Sequence, residues 1–94
     1  MEYQVLFENE KVCVSRVKLM AGEEVGLHRD EYPAVVIALQ GGVITRLEAD
    51  GTMTDVEFPK NVPVYRSTDP VGELHRSVNK SDEPIELIIT HIKT

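Results

Sequence analysis

Short runs of β-branched and aliphatic residues, cut at close intervals by glycine, proline, asparagine and acidic residues, follow one another along the whole chain. Runs of this kind bounded by turn residues predict strands. The first covers Tyr3 to Phe7, and Glu8-Asn9-Glu10 turns it into a second over Val12 to Met20. There Val12 and Val14 share one parity while Val17 and Leu19 share the other, so either a bulge near Ser15 flips the face or both faces are covered. Ala21-Gly22-Glu23-Glu24 turns into a short arm over Val25 to Asp30. After Pro33, the run Ala34 to Gln40 is apolar at both parities, the pattern of a strand covered on both sides. Gly41-Gly42 leads into Val43 to Glu48, and Asp50-Gly51 is a hairpin signal into Met53 to Phe58. Val62 to Arg66, Leu74 to Asn79 and Ile85 to Ile92 complete about eight or nine strands.

No helical stripe separates these runs, so a βαβ architecture is excluded and the fold class is all-β. Between a sandwich and a barrel, a rolled barrel leaves fewer exposed edges and lets a short chain wrap one core. The 94 residues suit one domain, residues 1–94, with an aliphatic core, since tryptophan is absent and aromatics are few. A domain this small buries only about 60 to 70% of the surface its unfolded chain exposes, so a homodimer is the expected state.

The formal charge of −6, from 16 acidic against 10 basic residues, repels phosphate backbones and argues against a nucleic-acid partner. The longest apolar run, Ala34 to Leu39, is far short of the roughly 20 residues a membrane span needs, so no membrane association is expected. A single cysteine, Cys13, forms no internal disulfide; it fits a reducing, cytoplasmic setting and reads as a buried small hydrophobe.

Candidate chemistry gathers at two histidines. His28 stands six residues after Gly22, and His75 follows the turn Pro70-Val71-Gly72. A lone histidine at a strand end is ordinarily just a polar residue. Here both fall at fixed offsets from glycine and proline, the residues that aim a strand. On an extended segment His28 and Asp30 project to one face, and His75 brought alongside would complete two imidazoles and a carboxylate, a set that holds a divalent metal and leaves positions open.

The residues Gly22-x5-His28-x-Asp30-x3-Ala34-x6-Gly41 and Pro70-x-Gly72-x2-His75-x3-Asn79 resemble the two motifs of the cupins. The resemblance runs from Gly22 to the last strand, and the second motif is its more specific half. It implies a small cupin-type double-stranded β-helix barrel, or jelly roll, of two antiparallel sheets, often dimeric. The family's usual site has three histidines and a glutamate. Here His28 and His75 match the first and last histidine, while Asp30 stands at the second histidine and Ala34 at the glutamate. Asp30 still ligates; Ala34 does not. The glycine that leads the second motif is missing: Val64 stands at its offset, Asn61 falls at the turn, and Ser67-Thr68-Asp69 reads as an insertion.

The metal set is therefore His28, Asp30 and His75, with Fe, Mn, Ni, Co or Zn as the ion. Ala34, Val36, Ala38 and Gln40 share one parity and would floor a small apolar pocket with Gln40 as its polar group. Tyr32, Tyr65, Arg46 and Arg66 are candidates to reach a substrate carboxylate or hydroxyl, since arginine pairs bidentately with carboxylates. His91 reads as structural or interfacial. Two functions follow: a metal-dependent protein acting on or binding a small molecule, or a non-catalytic ligand-binding or interaction module without metal.

Overall fold

The computed structural model describes residues 1–93. Nine strands form in chain order: β1 (Glu2–Glu8), β2 (Val12–Leu19), β3 (Glu24–His28), β4 (Ala34–Gln40), β5 (Gly42–Glu48), β6 (Met53–Phe58), β7 (Pro63–Arg66), β8 (His75–Val78) and β9 (Ile85–Ile92). Every strand pair is antiparallel. They build a five-stranded sheet, β1-β2-β9-β4-β7, facing a four-stranded sheet, β3-β8-β5-β6, so the all-β jelly roll of two antiparallel sheets is observed. No helix is long and apolar enough to cross a membrane.

The ambiguity in β2 resolves toward coverage on both faces. Its pairing with β9 runs unbroken from Val12↔Ile92 to Leu19↔Ile85, so no bulge flips it. Ser15 and Leu19 point into the barrel and are buried, while Val12 and Val14 lie half-covered on the outer face. The irregularity sits in the partner strand, where β1 slips register between Val5 and Phe7. As the edge strand, β1 is exposed along its whole length.

The core lies between the sheets and is built chiefly from alternate residues of β4 and β9: Ala34, Val36, Ala38, Ile85 and Leu87, closed by Phe58. Glycine is required where β4 hands the chain to the other sheet. A Cβ on Gly41 would come within 2.6 Å of the Phe58 carbonyl oxygen, and one on Gly42 within 2.7 Å of the Ile85 side chain. Asn61 adopts φ of 62°, the left-handed turn that asparagine tolerates, and its N–H donates to the Ala38 carbonyl.

Asn79 ties the two motifs together. Its side chain is fully buried and donates from Nδ2 to the carbonyls of Leu19 and Glu83 while Oδ1 accepts from the Ser81 N–H. Its backbone carbonyl accepts from Gly22 N–H, and its own N–H donates to the Glu23 carbonyl. The end of the second motif is thus bonded to the start of the first, which sets β3 beside β8.

Candidate functional site

His28 reaches the barrel interior because β3 is bulged. Glu24 and Val25 pair with Val78 and Ser77, but His28 pairs with His75, so Gly26 and Leu27 together oppose one residue, Arg76. Plain alternation from the inward Val25 would turn His28 outward. The extra residue restores it to the inner face and leaves Leu27 58% exposed. The Gly26 carbonyl accepts from His28 Nδ1 at 2.8 Å, which places the ring proton there and leaves Nε2 with its lone pair toward the interior.

Asp30 reaches the site by a different route from the one its spacing suggested. The strand ends at His28, so Asp30 is not carried on an extended segment beside it. Instead Asp69 holds it: the Asp30 N–H donates to Asp69 Oδ2 at 2.8 Å, and the Asp69 N–H donates to the Asp30 carbonyl at 2.9 Å. Asp69, which looked like part of an insertion, is buried at the centre of a network. It also accepts from Arg46 Nη2 at 2.6 Å and stands 3.2 Å from His75 Nδ1. That last contact is short enough for a hydrogen bond but poorly angled, so Nδ1 of the buried His75 lacks a well-formed partner. Sequence reasoning missed Asp69, and its one available signal was a carboxylate directly before the Pro70 turn.

Burial pushes the Asp69 carboxyl upward, but the Asp30 N–H, the Arg46 guanidinium and His75 together outweigh it and hold Asp69 below the usual aspartate range. Burial also dominates at His75: with the nearby His28 and Arg46 it lowers the pKa below the usual histidine range, against the opposing pull of Asp30 and Asp69. His75 is therefore neutral at pH 7, the form that donates a lone pair.

Ligand atoms of His28, Asp30 and His75 lie within 4.8 Å of one another. The two carboxylate oxygens of Asp30 face the two imidazoles separately, Oδ1 at 3.8 Å from His28 Nε2 and Oδ2 at 3.8 Å from His75 Nε2. Ligand atoms about 2.1 Å from a shared metal stand roughly 3.0 to 3.4 Å apart, so each 3.8 Å histidine–aspartate separation would close by about half an ångström around an ion. Both Nε2 atoms face the carboxylate, His28 has its outer ring nitrogen fixed by a carbonyl, and His75 has its outer nitrogen beside a carboxylate, the usual support of metal-binding histidines. The donor set fits a divalent cation.

Below these residues a cavity of about 280 Å³ runs between the sheets, walled by apolar side chains including Leu19, Val36, Val56 and Leu87. Tyr32 and Arg46 line it, as do Arg66 and His91. Arg46 is already committed, however, to Asp69 and to Glu48, and burial is outweighed by these two carboxylates in keeping it charged. Gln40 is not part of the wall. A bulge at Leu39 pairs Ala38 with Leu87 but Gln40 with Glu86, which moves Gln40 to the outer face. Tyr65 is likewise outside: it pairs with the outward Val35 and is 63% exposed. Cys13 is half-buried rather than buried, in a surface cleft with Glu8, Tyr32 and Lys93.

No protein-family model matches the chain. No curated protein matches it. Solved structures do. A cupin domain from Bordetella pertussis Tohama I superposes with a TM-score of 0.85 at 25% identity, over 99% of this chain and 93% of that one. An RmlC-like cupin family protein with a double-stranded β-helix fold from Methanocaldococcus jannaschii gives 0.71 at 16% identity, over 97% and 78%. The polyketide cyclase RemF from Streptomyces resistomycificus gives 0.66 at 13% identity, over 98% and 64%.

Proposed function

We propose that this chain, a small cupin by fold, holds one divalent metal ion on His28, Asp30 and His75 and uses the cavity beneath it to bind or convert a small organic molecule. The observation that carries this reading is the convergence of the three donors, with both imidazole Nε2 atoms facing the Asp30 carboxylate. Fe, Mn, Ni, Co and Zn all accept such ligands. A bound ion there would act as a Lewis acid on an oxygen of the small molecule.

The chain's own residues have distinct tasks in this reading. His28 and His75 supply neutral nitrogen donors. Asp30 supplies the one anionic donor, and Asp69 orients both Asp30 and His75. Arg46 neutralises Asp69, so that the network beneath the ligands carries less uncompensated negative charge. The apolar walls exclude water from the part of the molecule that does not face the ion. Pairing of two copies belongs to the same proposal, supported by the exposed edge strand β1, where Tyr3, Leu6 and Phe7 are about half exposed. A reducing cytoplasm suits the single cysteine.

Metal analysis of protein purified without an affinity tag tests the proposal. About one ion per chain is expected, with a lower melting temperature after chelation and loss of the ion in His75→Ala. Absence of metal, with no response to chelator or to added ions, overturns it. A metal-free binding module is the second reading, favoured by one observation: Ala34 puts a methyl group beside an apolar cavity at the position of the family's glutamate. Retained ligand binding in metal-free protein supports that alternative.

A further inference from the structure

We propose that the cavity takes a small monocarboxylate with an apolar body, its carboxylate held by Arg66. This names the ligand class of the site just described and rests on the barrel mouth being a small-molecule site.

The chain has five arginines, and four of them face carboxylates: Arg16 meets Glu86, Arg29 meets Glu31, Arg46 meets Asp69 and Glu48, and Arg76 meets Glu24. Arg66 has no such partner among the described residues, and yet it is half-buried and lines the cavity. In a chain with 16 acidic and 10 basic residues, an uncompensated guanidinium on a largely apolar wall is a conspicuous departure from the surrounding charge pattern. Removing a cation from water costs free energy unless an anion or hydrogen-bond acceptor compensates it, and no side chain among the described residues does so here. A ligand carboxylate supplies what is missing, in the planar geometry that guanidinium matches with two parallel hydrogen bonds.

Strand register places this cation. Ala34 pairs with Arg66 on one side and with His91 on the other, so the three inward side chains form a row across the five-stranded sheet. With only a methyl group in the middle, the row leaves room between an imidazole and a guanidinium, both of which donate N–H groups. The opposite sheet carries His28 and His75. A carboxylate entering the mouth therefore meets donors on the Arg66 side, while its apolar body lies against the core-facing walls.

The volume limits the body. A cavity of about 150 Å³ lined by aliphatic and phenyl side chains accommodates benzene. At about 280 Å³, this cavity has room for one ring or a branched alkyl group with a short acidic arm.

Phenylacetate and its neutral counterpart 2-phenylethanol are suitable probes, titrated calorimetrically into wild type, Arg66→Leu and Arg66→Lys. Phenylacetate is expected to bind wild type more tightly than 2-phenylethanol, to lose about tenfold or more in Arg66→Leu, and to recover part of this in Arg66→Lys. Binding of 2-phenylethanol should change less than about twofold, which shows that the cavity is intact. Equal affinities for the two probes in wild type, no phenylacetate binding, or indifference of phenylacetate to Arg66→Leu each overturns the proposal. The titrations are repeated with chelated and metal-loaded protein. An Arg66-dependent preference in both forms supports the carboxylate site even if the chain proves to hold no metal. A preference seen only in loaded protein and insensitive to Arg66 puts the carboxylate on the ion and overturns it.

Discussion

His28 and His75 are direct cross-strand partners, with ring centroids 4.2 Å apart and planes inclined at 59°. Two residues far apart in the chain thus occupy one rung of the β3–β8 ladder. This relationship depends on the bulge at Gly26 and Leu27, because strand side chains alternate faces and a one-residue slip reverses them.

Deleting Leu27 should therefore remove the bulge and leave His28 two residues after Val25, on the same inner face and still opposite His75. Leu27 is mostly exposed, so little packing is lost. The expected result is metal binding retained at one ion per chain, measured by metal analysis and titration, with a melting temperature close to that of wild type. Loss of the ion would show that plain alternation from Val25 does not carry His28 to the inner face.

Asp69 touches the site only through its neighbours, holding Asp30 by its backbone and standing beside His75 Nδ1. Asp69→Asn keeps the shape but removes the charge that supports the imidazole. Metal affinity should fall roughly 10- to 100-fold, as is usual when a residue supporting a ligand is replaced. Competition with a calibrated chelator reads the change, and Asp69→Glu should recover part of it if charge matters more than side-chain length.

Acid should destabilise the metal-free protein in two steps. His75 titrates lower in the folded chain than its ordinary value of 6.5, so at intermediate pH the unfolded chain binds more protons. Its contribution to stability is complete above about 6.5 and disappears as the pH falls through the folded value. Asp69 is also lowered, from 3.8, so its contribution is present above that value and lost as the pH drops through its folded pKa. Urea unfolding in the presence of chelator, from about pH 8 down to about pH 3, should show both falls. His75→Asn should flatten the upper one alone.

Asn79 is fully buried and its amide group is satisfied by bonds to the end of β2 and to the turn after β8. Asn79→Ala strands the Leu19 and Glu83 carbonyls and the Ser81 N–H while keeping the backbone bonds to Gly22 and Glu23, so a loss of about 3 kcal/mol is expected. Denaturant unfolding measures it. Asn79→Asp should also destabilise the fold, because a carboxylate accepts hydrogen bonds and cannot donate to those carbonyls.

Pairing of two copies through β1 predicts a species of twice the chain mass in sedimentation equilibrium. Leu6→Lys and Phe7→Lys together place like charges on an edge that is already exposed in one copy. They should yield the single-chain mass without lowering the melting temperature of dilute protein. An unchanged mass would move the contact elsewhere on the surface.

Much of the fold was legible in the chain itself. Alternation and turn residues place nine strands to within a residue or two, because a half-buried strand must repeat with period two and a reversal needs residues such as Gly22, Asn61 or Gly72. The identities of His28, Asp30 and His75 as a candidate ligand set were legible as well, since glycine and proline at fixed offsets mark where strands begin. Parity arguments failed where an extra residue interrupted the ladder. The bulge in β3 aims His28 inward, whereas the one in β4 takes Gln40 out of the pocket, and neither can be found by counting along one strand when register is set by the partner. Tertiary structure alone also revealed Asp69 as the support of Asp30 and His75, and it separated Arg46, already paired, from Arg66, which faces the cavity without a carboxylate partner among the described residues. Sequence lists which charges exist. Only the folded chain determines which of them neutralise one another, because Coulomb attraction and desolvation depend on distance and burial in space.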